Sequence, residues 1–367
     1  MQRRLPQARA RNGADLRLDV DILSVATANP TYRIDQREAW ERARVIFPHL
    51  ARMEALYINT GIVTRYSCVP PNWCETPHGW EERTATYQRH ALDLLQRVSI
   101  EAVAEAGLLL ADIDFLVLNT ITGLAIPSLD AKLMSRLAFR PNLERPPIFG
   151  LGCGGGVAGL TRGARLAQAS PGTNVLFLTV DLCSLCARPN DPSLAMFVAA
   201  ALFGDGAAAA VLRSGAAVAG DRSNARPARI VAVGEHCWRD TEHIMGWDIK
   251  ADGFGVVLSP QLPGLMHQEL RPAVEGFLQR YGLEREDFIG FLLHPGGRKI
   301  LETAESVLGI DRASLAHSWT VLRDYGNMSS VTALFVLQHA LRAQDRGAHL
   351  LAAFGPGFSA YFAALEL

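Results

Sequence analysis

The stretch Pro147-Ile148-Phe149-Gly150-Leu151-Gly152-Cys153-Gly154-Gly155-Gly156-Val157-Ala158-Gly159-Leu160 is an apolar run that breaks into glycines around one cysteine and resumes as small residues. It reads as strand, tight turn and helix. Glycines let such a turn take dihedrals that other residues avoid and let backbone or a ligand come close. Cys153 is therefore expected at or just before a helix N-terminus. Unpaired amides and the positive end of the helix dipole favour thiolate over thiol there, and thiolate is the species that attacks a carbonyl carbon. On this reading Cys153 is the candidate nucleophile. Two other readings stand beside it. A lone cysteine is commonly a small core side chain, and Gly150, Gly152 and Gly155, with Asp181 ending the next apolar run, satisfy a G-x-G-x-x-G dinucleotide pattern.

Working outward, 367 residues with 49% hydrophobic and 20% charged content describe an ordinary soluble globular protein large enough for two domain-sized cores. A net charge of −1 leaves no nucleic-acid footprint. Arg3, Arg4, Arg9 and Arg11 gather at the N-terminus with no apolar signal core behind them, so residues 1–17 read as a basic, solvated tail. No window reaches membrane-spanning length. Cys68, Cys74, Cys153, Cys183, Cys186 and Cys237 are scattered without a leader, which argues for reduced thiols and a cytoplasmic protein without disulfides. Cys183 and Cys186 form one C-x-x-C, but no second ligand pair stands at zinc spacing. They are expected as core thiols, and no metal site is expected.

Strands are expected at 18–26, 113–120, 175–181, 207–212, 230–233, 254–258, 288–293, 350–354 and 361–365. Between them helices are expected at 36–55, 91–106, 127–139, 194–202, 264–281, after Gly297, and at 328–343. The segment 66–79 carries three prolines with Trp73 and Cys74 and reads as a surface loop. Between 213 and 229 the composition shifts to Gly, Ala, Ser, Asn, Pro and Arg, placing a junction between one half at 18–225 and another at 226–367. Both halves share one rhythm of strand, turn, packed helix and two late strands. That points to a duplicated α/β unit with two sheets around buried helices.

The second half repeats the logic of the opening stretch. Leu292-Leu293-His294-Pro295-Gly296-Gly297 is an apolar strand ending in a polar residue and a glycine turn. An imidazole there can pair with a thiolate and donate to a developing oxyanion. Asn327, in Asp324-Tyr325-Gly326-Asn327-Met328-Ser329-Ser330, can cap the long helix that follows. Its amide also offers an uncharged N–H donor suited to an oxyanion or enolate. Both roles remain open for it.

Taken together these stretches resemble the type III polyketide synthases, the chalcone-synthase-like family of the thiolase superfamily, over most of the chain. Gly-Leu-Gly-Cys-Gly-Gly-Gly at 150–156 resembles the family's nucleophile turn, His-Pro-Gly-Gly at 294–297 its histidine motif, Gly-Asn-Met-Ser-Ser at 326–330 its asparagine motif and Phe-Gly-Pro-Gly at 354–357 its C-terminal glycine loop. Leu-Phe-Gly-Asp-Gly-Ala-Ala at 202–208 and Asn-Thr-Gly-Ile-Val-Thr-Arg-Tyr at 59–66 also fit. The resemblance implies an α/β, thiolase-like, five-layered αβαβα fold built from two similar halves, a homodimer, and no metal or prosthetic group. It implies CoA thioesters as substrates and Cys153, His294 and Asn327 as a catalytic triad. An acyl-CoA starter would load on Cys153. Malonyl-CoA would lose CO2 to an enolate held by His294 and Asn327, and Claisen condensation would extend the chain before cyclisation.

The resemblance also places Ile121, Thr122, Ile126, Cys186, Val256, Ser329, Phe354, Gly355 and Pro356 around the substrate. Arg52 aligns with a basic residue used on the CoA phosphates, with Ala55 and Asn59 where further cations would be expected. Plant-type relatives narrow the cavity with bulky aromatics at positions aligned with Cys186 or Ala187 and with Val256. Small residues there leave room for a medium- to long-chain fatty acyl starter, as in bacterial alkylpyrone and alkylresorcinol synthases. The nearest alternative is a ketoacyl synthase III-type enzyme of fatty-acid initiation, which shares fold and triad but not His-Pro-Gly-Gly. A papain-like protease orders Cys, His and Asn alike but surrounds its cysteine differently. An oxidoreductase would need Asp181 on a ribose, and a non-catalytic binder would need the triad misassembled.

Overall fold

The computed structural model describes residues 17–215 and 227–367. The expected tail, Arg17 apart, and the junction expected at 225–226 lie outside the described residues. The first half runs β1 (Val20–Ala28), β2 (Tyr32–Asp35), α1 (Gln36–Ile46), α2 (Glu54–Ile58), β3 (Thr64–Ser67), α3 (Trp80–Glu105), β4 (Phe115–Thr120), α4 (Leu129–Met134), β5 (Pro147–Phe149), α5 (Gly155–Ala169), β6 (Asn174–Leu182), α6 (Leu194–Leu202) and β7 (Asp205–Ser214). The second runs β8 (Ala228–Cys237), β9 (Met245–Lys250), β10 (Gly253–Leu258), α7 (Leu262–Arg280), β11 (Gly290–Leu293), α8 (Arg298–Leu308), α9 (Ala316–Tyr325), α10 (Thr332–Arg342), β12 (Ala348–Gly355) and β13 (Ser359–Glu366).

Several expectations are corrected. The helix expected over 36–55 breaks at Pro48, because the residue before a proline avoids helical dihedrals, and Phe47 takes φ −118°, ψ 65°. The helix expected over 127–139 is confined to α4. Segment 66–79 is no simple surface loop: the Cys68 amide donates to Asp205 Oδ2 at 2.8 Å and draws Cys68 and Val69 into the core. Strand β9 and helix α9 had no counterpart in the sequence reading.

The two halves use one pairing scheme. In the first, β4 is parallel to β6, β6 antiparallel to β7, and β7 antiparallel to β1. In the second, β11 is parallel to β12, β12 antiparallel to β13, and β13 antiparallel to β8. The two sheets expected around buried helices are joined at β1 and β8 into one run of nine strands, where Val20, Asp21 and Ile22 pair with Ile230, Arg229 and Ala228. Helices then form the other layers. Helix α3 covers the outer face of the first half, and α7 and α8 cover that of the second. Between the halves, α5 and α10 are buried against strands of both. Covered on both faces, β6 is buried at all nine positions and reads as a near-continuous apolar run.

Helix α5 can occupy the centre only because its first turns carry glycine where they meet their neighbours. A Cβ on Gly156 would lie 2.0 Å from the Ser330 carbonyl oxygen, and one on Gly159 would lie 2.1 Å from the Phe177 ring. The start of α5 therefore rests directly on the turn that carries Ser329 and Ser330. Gly156→Ala is expected to cost about 1–3 kcal/mol through overpacking. Gly276→Ala, on an exposed stretch of α7 with nothing within 4 Å of the new methyl, should instead gain about 0.5–1 kcal/mol. Urea unfolding of the two variants checks this, and equal effects would refute the packing argument.

Candidate active site

Three separate turns converge on one cavity. The nucleophile turn, Gly152–Gly154, is a single 3-10 turn that runs straight into α5, so Cys153 sits where the sequence places it, just before a helix. Gly152 has φ +49°, and a Cβ there would meet Pro356 at 2.4 Å. Gly355 is pressed as closely against the Leu151 carbonyl. The turn between β12 and β13 thus braces the cysteine loop from behind.

His294 ends β11, and its amide donates to Ala352 O at 2.8 Å, extending the parallel ladder by one residue. Its side chain is 3% exposed and neither ring nitrogen has a partner. A buried polar group left unpaired in this way is held ready for something that enters the cavity. Asn327 is fixed through its backbone, donating to Leu202 O and accepting from the Gly204 amide, both at 2.9 Å. Its Oδ1 accepts from Ser329 N at 2.8 Å, which orients the Nδ2 group the other way, where it donates to Gly296 O at 3.3 Å. Asn327 does not cap α10, as the sequence allowed, because a 3-10 turn at Ser329–Val331 intervenes and α10 starts at Thr332. Ser329 has φ +53°, a left-handed conformation that costs free energy in a non-glycine residue and recurs at functional sites.

Cys153, His294, Asn327 and Ser329 line a cavity of about 810 Å³, mouth included, together with Ile121 and Pro356. A second chamber of about 890 Å³ adjoins it, walled by aliphatic and aromatic side chains such as Ile34, Ile46, Phe47 and Met196. Phe203, Trp247 and Val256 belong to both walls.

The chain matches the family of chalcone and stilbene synthases, its N-terminal domain over residues 67–216 and its C-terminal domain over residues 230–362. It is 38% identical over 352 residues to a 1,3,6,8-tetrahydroxynaphthalene synthase of Streptomyces peucetius subsp. caesius, covering 94% of this chain and 92% of that protein. The chain belongs to the type III polyketide synthases. It is 30% identical over 351 residues to the alpha-pyrone synthesis polyketide synthase-like Pks18 of Mycobacterium tuberculosis, covering 92% of this chain and 88% of the relative. The crystal structure of the 1,3,6,8-tetrahydroxynaphthalene synthase of Streptomyces coelicolor A3(2) superposes with a TM-score of 0.88 at 29% identity, covering 94% of this chain and 99% of that one. The fold is accordingly thiolase-like, and the chain is a decarboxylating condensing enzyme, an acyltransferase in the broad sense. Among the described residues, no helix is long and apolar enough to cross a membrane.

Within this polyketide synthase the expected pocket residues divide. Ile121, Val256, Ser329, Phe354 and Pro356 line the cavity with the cysteine. Cys186 lines the second chamber instead. Two expectations are corrected. Thr122 faces away, its hydroxyl donating to Asp181 at 3.3 Å and accepting from Leu182 N at 2.8 Å. Gly355 lines neither space and serves as the brace already described. Ile126 stands 96% exposed on the surface of the single chain. Arg52, expected on CoA, stands exposed on the turn before α2, outside the lining of either space. Phe203 and Trp247 were missed as wall residues, so the passage carries two aromatic rings beside the small Val256. Phe203 stands within the Leu-Phe-Gly-Asp-Gly-Ala-Ala motif at 202–208, and Trp247 stands outside every motif.

Burial works against the expected thiolate. Burial pushes the Cys153 thiol up to about 12, and the negative charge of Asp181 adds to this, while hydrogen bonds from Ser329 and Asn327 pull it down. Burial alone lowers His294 to about 4. Both shifts act against the charged forms of the two groups. Asp181, raised to about 6 by burial against the pull of Ser330 and the Ile121 amide, is fully enclosed. It accepts from Ile121 N at 2.9 Å and from Ser330 N and Oγ at 3.0 and 2.5 Å, which leaves nothing to offer a ribose and removes the dinucleotide reading.

An acid-stability difference follows. Unfolded histidine titrates near about 6.5, so below that the unfolded chain takes a proton that the buried imidazole refuses until about 4, and stability falls as pH drops through this window. Asp181 acts with opposite sign over much of the same window but is present in both proteins compared. Relative to His294→Gln, the wild type should lose stability progressively from about pH 6.5 to 4 and run parallel above 7. Parallel curves throughout would show that the imidazole is not buried neutral.

Proposed function

We propose that Cys153 carries the acyl chain, that His294 and Asn327 hold the enolate oxygen, and that the enzyme extends a medium- to long-chain fatty acyl-CoA with malonyl-CoA to an alkylpyrone or alkylresorcinol. His294 takes the thiol proton as Cys153 Sγ attacks the starter thioester and returns it to the departing CoA sulfur. A thiol this far from ionising needs that base. When malonyl-CoA loses CO2, negative charge collects on the thioester oxygen, where the neutral imidazole N–H and the oriented Asn327 amide stabilise it. The enolate carbon then attacks the acyl–Cys153 thioester, forming the carbon–carbon bond and freeing the sulfur. No prosthetic group is needed for these steps.

The observation that carries the choice of starter is the second chamber, whose apolar wall at Ile34, Ile46, Phe47 and Met196 adjoins the catalytic cavity at Val256. Each methylene buried there gains about 0.8 kcal/mol. A relative's name in alpha-pyrone synthesis agrees with this. The 38% identity to a tetrahydroxynaphthalene synthase favours a second reading, an aromatic product without an alkyl chain. The active form on this proposal is a homodimer, supported by the exposed apolar group Leu124, Ile126 and Phe149 beside the nucleophile strand, a feature typical of interfaces.

Asn327→Ala should slow malonyl-CoA decarboxylation by about 10²–10³-fold while starter loading, read by mass spectrometry as one acyl adduct on Cys153, changes far less. An adduct on Cys183 or Cys186, or equal loss of both half-reactions, counts against the assignment. For the starter, kcat/KM should rise from acetyl- and benzoyl-CoA to hexanoyl- and palmitoyl-CoA, and Val256→Phe should move the optimum to shorter chains. Efficient product formation from malonyl-CoA alone, with no response to long starters, would favour the second reading.

A further inference from the structure

Among the described residues, no lysine, arginine, aspartate or glutamate lines the catalytic cavity. A CoA thioester whose carbonyl lies beside Cys153 and His294 must therefore leave its phosphates outside, because an uncharged wall cannot replace their water. Exposure marks one way out. His294 is 3% exposed, Gly296 and Ile300 are half-buried lining residues, and Arg298 and Lys299 between them stand exposed. One short segment thus runs from the buried end of the cavity to the surface.

The outer end of that segment is the start of α8. No side chain caps the helix and no acidic residue stands in its first turn, so its first amides and the positive end of its dipole are left for an anion. Two cations stand on it. Arg298 is held by Glu302 through Nε at 2.6 Å, and among the described residues neither Nη has a partner. Lys299 pairs with no carboxylate among the described residues. The cavity behind them calls for a ligand independently. Neither ring nitrogen of His294 is paired, and its Nε2 lies on the side of Gly296, 3.8 Å from where a Cβ on that glycine would be.

The same helix start faces the place where the resemblance expects cations. Gly61, in the loop that follows α2, lies so close that a Cβ on it would be 3.8 Å from Arg298 Cβ and 3.9 Å from the Trp319 ring. Ala55 of α2 and Asn59 at its end carry no charge. Positive charge absent from one wall of this cleft stands on the other.

We propose that the phosphates of CoA are held from the second half of the chain, by Arg298, Lys299 and the free amides at the start of α8, and not by α2. A guanidinium with both Nη groups free suits a pair of phosphate oxygens, and the ammonium adds a point charge beside it. The inference rests on the reading above in taking CoA thioesters as the substrates.

The test compares malonyl-CoA with the malonyl thioester of N-acetylcysteamine, which ends before the phosphates. In full-length Arg298→Gln and in Lys299→Gln, kcat/KM for malonyl-CoA decarboxylation should fall about ten-fold, mostly through KM, as loss of one charge-assisted contact implies, while the value for the shorter thioester stays within about two-fold. Arg298→Lys and Lys299→Arg should restore most of the loss, and Arg346→Gln, exposed just before β12, should match wild type. Added salt should narrow the gap between variants and wild type. Equal losses with both thioesters would mark a general disturbance and overturn the assignment, as would unchanged malonyl-CoA kinetics in both variants with a loss in Arg52→Gln. Isothermal titration of CoA needs no turnover. A Kd raised about ten-fold in Arg298→Gln, in a protein that extends no fatty acyl-CoA, keeps the phosphate site and ends the fatty-acyl reading. An unchanged Kd overturns the site whatever the starter.

Discussion

The close approach of the first turn of α5 to the Ser329–Val331 turn governs the rest of the structure. Gly156 lies against the Ser330 carbonyl with no room for a methyl group, and from β6 behind them Asp181 accepts both the amide and the hydroxyl of Ser330. Asn119 joins the same knot, donating to Ser330 Oγ at 2.9 Å and to Thr179 Oγ1 at 3.1 Å. Through these contacts a strand and helix of one half fix a turn of the other. Cys153 and Asn327 meet because of it, and a side chain at position 156 would separate them.

The same burial that assembles the site sets its charge state. A cysteine at the start of a helix is ordinarily a candidate thiolate, yet here the loss of solvent outweighs the helix end and the donors of Ser329 and Asn327. His294, enclosed with no counter-ion on its ring, stays neutral for the same reason. Neutral donors suit a reaction in which negative charge appears on an oxygen and then disappears, because fixed dipoles meet that charge without reorganising.

Much of the fold was legible. Strand β6 was visible as a near-continuous apolar run and helix α6 as an unbroken one, and the nucleophile turn, the His294 turn and the Asn327 turn each announced themselves by glycines at a strand end or helix start. Where reading failed, long-range contacts had overridden local pattern. Segment 66–79 looked like a loop because nothing in its prolines and polar residues reveals that Asp205, far along the chain, captures the Cys68 amide. Strand β9 alternates weakly and half faces solvent, so it carries no clear period.

By itself the sequence determined the chemical parts: a cysteine, a histidine and an asparagine, each at a turn its neighbours dictate, on two halves built alike. These are local matters, settled by which residues tolerate a given dihedral and which runs must be buried. Only the tertiary structure decided that the two sheets join through β1 and β8, that burial works against a Cys153 thiolate, and that Thr122 turns away from the cavity while Phe203 and Trp247 enter its wall. Those outcomes depend on desolvation and on which distant side chains share a volume, and neither quantity exists until the chain has folded.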